Sequence, residues 1–419
     1  MMSLLTRMVA FVAVSLALAA AAPAGAVPAW SRKTGLECSS CHFGGTNRLT
    51  KMGRDFLLRG HRMKSDEGIS ASNYKSLNYL DYASLSNKWR YVASNGNPST
   101  GFDVEAFSLY TGGPLSGKFS YFVEYYFHER GGFSNPGGTS TGTTTNRSKL
   151  ADAYLQFSSN PQGDNFFWAR AGQIYPFIIY TASSGGRLSV NRPISINGNV
   201  GLGNLYTPRD RAYGASVGYV NEPGGFRAEL GIVNSGGTNA RPNLDEKNNF
   251  KDGFIALEKD FDEYGSGLGF FAYTGRFLVP KDATFATNWE DRFHRLGFLG
   301  HFQRQDYVAS VGWFMGENQL PAPANLVTPP AGYTGGSRSP SGYYLEAGVN
   351  LSPTLTGYAR YDHTYNDLGL LGASRNKAVT VGLSQRMSNV GRIVLEFNGA
   401  KSGASAYSRS ATVEVNWLF

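Results

Sequence analysis

From about Leu85 to its last residue, the sequence repeats one device. Stretches of roughly 9–14 residues alternate apolar and polar side chains, as a strand with two different faces must. They are read at 85–95, 101–111, 115–128, 149–158, 164–174, 211–221, 225–233, 252–261, 264–276, 290–303, 305–317, 341–351, 353–363, 376–387, 390–402 and 407–419. The connections between them are alternately short and long. The short ones include Gly112-Gly113-Pro114, Ser159 to Gly163, Glu222-Pro223-Gly224, Asp262-Glu263 and Ser388-Asn389. The long ones include Glu129 to Arg147, Tyr175 to Asp210, Asn234 to Lys251 and Glu317 to Pro340. Sixteen segments with this loop alternation predict an all-β transmembrane barrel, with the short turns periplasmic. An array of soluble β-sandwiches has no reason to alternate loop lengths.

Composition points the same way. Of 419 residues, 52 are Gly, 24 Tyr and 27 Phe, while only 17% are charged and 41% are apolar. That is too little charge for an ordinary soluble surface and too many aromatics for a disordered chain. After the N-terminus no run approaches 18 apolar residues, which excludes a bundle of spanning helices. The N-terminus carries Arg7, the uncharged run Met8–Ala22 and the small residues Ala24-Gly25-Ala26, so 1–26 is expected to be a signal peptide. The last strand, Ala411 to Phe419, places Glu414 and Asn416 in the lumen and Val413, Val415 and Trp417 toward lipid. The same parity points Glu124, Tyr126, His128, Asp152, Tyr154, Gln156, Arg360, Asp362, Glu396 and Asn398 inward, mostly as hydrated wall. The 36 residues from Tyr175 to Asp210 are too long for a passive turn; they fold over or into the mouth, or form an outer loop.

The only two cysteines stand in Cys38-Ser39-Ser40-Cys41-His42. Two thiols at this spacing, followed at once by His, are the attachment sequence of a c-type haem. The thiols add to the two vinyl groups, and His42 is held on the iron as proximal ligand. A thioredoxin-like redox pair lacks its βαβ context here, and a structural zinc site would need more ligands than one Cys pair offers. One motif implies one covalently attached haem c. The distal ligand is less determined. Leu49, Met52, Phe56 and Leu57 share one face of a helix capped by Thr50 and stopped by Gly60. Just beyond lie His61, the favoured distal ligand, and Met63, the alternative; Met52 belongs to the apolar stripe, and an open sixth position is a further option. Between Ser31 and Lys64, eight cations (Arg32, Lys33, Arg48, Lys51, Arg54, Arg59, Arg62, Lys64) against Glu37 and Asp55 leave +6. They form a solvated face, or dock on acidic barrel or partner surfaces. The expected organisation is therefore a signal peptide (1–26), a small α-helical monohaem c-type cytochrome segment (27–75) and an outer-membrane porin-like barrel (76–419).

Ala29-Trp30-Ser31-Arg32-Lys33-Thr34-Gly35, then Cys38 to His42, then Gly44-Gly45-Thr46-Asn47-Arg48-Leu49-Thr50 with Gly53 and Phe56, resembles the fused monohaem cytochrome–porins of iron-oxidising bacteria. The resemblance covers residues 29–63. It implies haem attachment at Cys38 and Cys41, ligation at His42, oxidation of extracellular Fe(II), and electron delivery to a periplasmic cytochrome or other carrier. It does not identify an Fe(II) site, and no His/Asp/Glu cluster with tight ligand spacing appears in the sequence. Two other functions fit the same chain: a conduit for a different external donor or acceptor, and a selective porin whose haem segment is a plug. Outer-membrane lipid is an expected partner, nucleic acid is not, and barrels of this size form homotrimers in many cases.

Overall fold

A computed structural model describes residues 28–66, 78–95, 100–129, 150–179, 187–197, 204, 206–209, 211–234, 250–367, 372–388, 391–403 and 405–418. The expected signal peptide and the terminal Phe419 fall outside them. The strands are β1 (Ala83–Ser94), β2 (Thr100–Pro114), β3 (Phe119–Glu129), β4 (Leu150–Ser158), β5 (Asn165–Ile174), β6 (Ala212–Asn221), β7 (Phe226–Asn234), β8 (Lys251–Asp260), β9 (Gly267–Val279), β10 (Trp289–Gln303), β11 (Tyr307–Leu320), β12 (Gly336–Arg338), β13 (Ser341–Ser352), β14 (Leu355–Asp367), β15 (Ala373–Ser388), β16 (Gly391–Ser402) and β17 (Ser408–Leu418). β12 is a three-residue ribbon within a long loop. The other sixteen pair antiparallel in chain order, and β1 also pairs with β17, so the sheet closes on itself and leaves no edge. Each of these sixteen overlaps one of the segments read from the sequence.

Alternation divides the wall into two chemistries. On β7, Leu230 and Ile232 point outward and are exposed, while Arg227 and Glu229, at positions of the opposite parity, are buried. Phe167, Leu268, Leu345 and Val379 continue the outward apolar belt. At the short-turn end, Phe261, Tyr264, Phe302 and Tyr307 are exposed around the β8–β9 and β10–β11 turns, where interfacial aromatics sit in such barrels.

Two local expectations are corrected. Gly112-Gly113-Pro114 is not the β2–β3 turn; it completes β2, and the turn is residues 115–118. A Cβ on Gly112 would lie 2.9 Å from the Phe122 ring and one on Gly113 2.8 Å from the Tyr82 ring, so these glycines serve close packing. His128 does not face the lumen. A bulge on β3 sets Tyr126 opposite Ser108 but His128 opposite Phe107, which reverses the parity beyond Phe127.

The Tyr175–Asp210 segment turns inward where it is described. Leu188 packs with Val308, Tyr358 and Val394 of the wall, and Ile178, Ile196 and Tyr206 join a large buried cluster with Phe254, Phe271, Tyr273 and Phe293. Backbone N–H groups of Val190 and Ile194 donate to Glu396 (2.7 Å) and Asp362 (3.1 Å). Several inward carboxylates thus hold this loop rather than line open water.

Candidate functional site

Residues 28–66 sit within the barrel at the short-turn end. They carry three short helices, α1 (Ala29–Thr34), α2 (Cys38–Cys41) and α3 (Lys51–Leu58). Their anchors run around the wall. Ala29 N–H donates to Ser84 Oγ (2.7 Å), and Trp30 Nε1 to the Gly112 carbonyl (3.1 Å). Gly45 N–H donates to Thr356 Oγ1 (3.1 Å), and Ser384 Oγ donates to the Gly45 carbonyl (2.6 Å). Arg62 reaches the Gly117 (2.8 Å) and Phe119 (2.7 Å) carbonyls, and Gln156 donates to the Leu58 carbonyl (2.7 Å).

Several cations of this segment dock on acidic wall positions. Arg54 pairs with Glu258 and with Asp260 (3.2 Å), and donates to the Gly265 carbonyl (2.9 Å). Arg59 pairs with Glu222, and Asp55 accepts from Arg227 (2.7 Å). Buried ion pairs stabilise little in net terms when intact, but they fix position, because breaking one strands a charge.

The helices present the cysteine motif. Thr50 caps α3, accepting from Gly53 N–H (3.2 Å), and its hydroxyl donates to the Ser40 carbonyl (2.6 Å), which ties α3 to α2. Gly53 lets the two helices touch: a Cβ there would lie 2.3 Å from the Cys41 carbonyl oxygen. Thr50 N–H also donates to that carbonyl (2.9 Å). His42 Nδ1 lies 3.3 Å from the Asn47 carbonyl. A carbonyl only accepts, so Nδ1 carries the proton and Nε2 keeps its lone pair for a ligand.

Cys38, Cys41, His42 and Met63 line one cavity of about 310 Å³, with apolar walls from Trp30, Leu49, Phe56 and Phe122. Its cationic walls are Lys88, Arg187, Arg192, Arg211, Arg386 and Arg392; its acidic ones are Glu37 and Glu124. The two thiols are not joined as a disulfide. Burial pushes the Cys38 thiol up and the Cys41 thiol up to about 11. Burial, aided by Arg386, pushes His42 down to about 4 and so favours the neutral, ligating imidazole. Two protonated thiols, a neutral imidazole and apolar walls facing one small-molecule-sized space fit the residues that a c-type haem requires.

The two distal candidates part company. Met63 lines this cavity; His61 does not, and lines a smaller adjoining void with Leu58, Tyr154 and Arg170. The His61 ring stacks face to face on Phe122 (4.4 Å), with Trp30 beside the pair (5.0 Å from His61 and 6.2 Å from Phe122). Its Nδ1 is buried without a hydrogen-bond partner, and burial pushes its pKa down to about 3. Gly60 (φ +81°) and His61 (φ +59°) both adopt left-handed backbone as they end the helix, and His61 is the one non-glycine to do so among the described residues. Met52 lies on α3 and does not line the cavity.

One cluster escaped sequence reasoning. Glu258, Asp260 and His301 bring ligand atoms within 4.8 Å of one another. Guanidinium groups fill it: Arg54 Nη1 is 3.1 Å from His301 Nε2, and Arg227 Nη1 is 2.8 Å from Asp260. The cluster is a docking socket, not a ready metal site.

No family model matches the chain, and no curated protein is similar to it. Solved structures are similar in fold. OmpT of Vibrio cholerae, an outer membrane protein in trimer form, aligns with a TM-score of 0.55 at 10% identity over 80% of this chain and 98% of that one. Its loop L8 deletion mutant gives 0.51 at 10% identity over 81% and 98%. The anion-selective porin from Comamonas acidovorans gives 0.50 at 13% identity over 81% and 98%. The chain therefore has the fold of the outer-membrane porins: a closed antiparallel barrel of sixteen membrane-length strands.

Proposed function

We propose that this chain is an outer-membrane electron-transfer protein, in which a porin-fold barrel (76–419) carries a monohaem c-type segment (27–75) in its lumen. The observation that carries this reading is the single cavity lined by Cys38, Cys41 and His42. Haem, held covalently by Cys38 and Cys41 and ligated by His42 Nε2, would supply one-electron redox chemistry there. The chain's own residues do the rest. Asn47 orients His42, Thr50 and Gly53 hold the cysteine turn, and Arg54, Arg59 and Arg62 fix the segment to the wall. Sharing of the cavity favours Met63 over His61 as distal ligand. The donor is extracellular Fe(II), on the strength of the motif resemblance, and the acceptor a periplasmic carrier. The filled state of the Glu258–Asp260–His301 cluster favours transient contact with Fe(II) over a resident iron site.

The second reading, a selective porin with a haem-bearing plug, is favoured by the porin fold and by the cationic cavity wall. Either reading is compatible with a homotrimer, which the trimer form of OmpT suggests and cross-linking would test. Rapid mixing of the oxidised, purified protein with Fe(II) discriminates between the two. Haem reduction supports the first reading. Covalent haem that Fe(II) does not reduce, in a barrel that conducts ions in planar bilayers, leaves the second. Absence of covalent haem ends both.

A further inference from the structure

The wall behind the cysteine motif carries a row of like charges that the barrel itself does not neutralise. In the β15–β16 register Arg386 stands directly opposite Arg392, in β16–β17 Arg392 opposite Asn416, and in β17–β1 Asn416 opposite Lys88. The row thus crosses four adjacent strands, about 14 Å at ~4.8 Å per strand. Like charges directly opposite are unfavourable in an antiparallel pair. Four carboxylates approach the row: Glu37 beside Arg386 and Glu124 beside Lys88 across the cavity, and Glu414 and Glu105, which are engaged by arginines. Glu414 accepts from Arg90 (2.7 Å) and from Arg392 Nη2 (3.2 Å), and Glu105 accepts from Arg90 (2.7 Å). Over the cavity lining as a whole, six cations (Lys88, Arg187, Arg192, Arg211, Arg386, Arg392) against two carboxylates (Glu37, Glu124) leave an excess of +4. Arg392 is only 7% exposed, yet its Nε and Nη1 are buried without a hydrogen-bond partner. Such orphaned donors cost stability unless a ligand satisfies them. Lys88, Arg386 and Arg392 all line the cavity shared by Cys38, Cys41 and His42.

We propose that Lys88, Arg392 and Arg386 form a cradle for paired carboxylates, with Arg392 as its central donor. A dianion offsets half of that excess and gives Arg392 the charge-assisted hydrogen bonds it lacks. Paired carboxylates can come from two sources: the propionates of a porphyrin attached at Cys38 and Cys41, which rests on the function proposed above, or a free dicarboxylate entering the lumen, which does not.

The test uses the full chain in detergent, with heat-modifiable gel migration as the folding control. Arg392→Gln leaves Glu414 paired to Arg90, and Arg392→Lys keeps the charge. In the haem-loaded protein, resonance Raman spectra read the propionate-bending bands. In the haem-free Cys38→Ala/Cys41→Ala protein, succinate is titrated against Trp fluorescence, since Trp30 lines the cavity. A band shift in Arg392→Gln, reversed in part by Arg392→Lys, assigns the cradle to propionates. Unshifted bands with succinate binding weakened about tenfold or more by Arg392→Gln assign it to free dicarboxylates. If neither readout responds, the cradle is overturned. If the wild-type chain carries no covalent haem, the proposed function fails while the succinate arm still decides the cradle.

Discussion

The guanidinium of Arg54, on α3, lies 3.2 Å from the carboxylate of Asp260 on β8, and both side chains are almost wholly buried. The two residues are 206 positions apart in sequence, so this contact forms only when the cysteine-bearing segment is seated in the barrel.

Arg54→Ala should therefore unseat that segment. It strands Glu258 and Asp260 with Arg227 as their remaining cation, and breaking a buried pair costs about 3–5 kcal/mol. Lys64→Ala removes exposed pairs and should cost no more than about 1 kcal/mol. Hydrogen exchange over residues 28–66 checks both. Equal protection in the two variants would refute the ranking.

Gly53→Ala should damage the cysteine turn. Ala is the better helix former by about 1 kcal/mol, but overpacking costs about 1–3 kcal/mol, and the neighbour here is the rigid Cys41 backbone. The steric term should win, and haem staining per folded barrel should fall below that of the wild-type chain. Unchanged staining would show that α2 and α3 can separate freely.

The barrel was legible because period-two alternation and loop lengths are local signals, and residues such as Leu230 and Glu229 announce their faces within one strand. The α3 helix was equally local: Thr50 and Gly60 mark its ends. What failed was also local, since the β3 bulge that turns His128 outward has no mark in the sequence around Tyr126. The Arg54 socket and the Arg386–Arg392 opposition could not be read, because strand register and a segment folded back through the barrel decide them. The inward course of residues 187–197 depends on Asp362 and Glu396, whose inward parity was readable but whose partners were not.

Acid should loosen the segment through His61. Its docked pKa, about 3, lies below the unperturbed value of 6.5 because burial penalises the imidazolium, with Arg170 adding to the effect. Above pH 6.5 both docked and undocked rings are neutral, and the full docking stability is present. As pH falls from 6.5 toward 3 the undocked ring takes a proton that the docked ring refuses, and stability is lost, on the order of 3–5 kcal/mol in the limit. His61→Phe keeps an aromatic ring against Phe122 and Trp30 but does not titrate. Limited proteolysis of the haem-free Cys38→Ala/Cys41→Ala protein should show release at lower pH when this substitution is added. An unshifted release profile would assign acid sensitivity to the buried carboxylates instead.

The same ring and its neighbour decide the ligation question by opposite spectra. Met63 shares the cavity with Cys38, Cys41 and His42, whereas His61 is stacked on Phe122 and lines an adjoining void. A thioether on iron tends to raise the potential, and its loss leaves the sixth position to water or to a stronger-field nitrogen. Met63→Ala in the haem-loaded protein should therefore change the oxidised spectrum and lower the haem potential, while His61→Phe should leave the spectrum in place. The reverse pattern would mean that the segment swings His61 away from Phe122 and Trp30 when haem is attached. That rearrangement would cost the two ring contacts, about 0.5–1.5 kcal/mol each. A nitrogen–iron bond exceeds that cost, so the spectra rather than the packing decide.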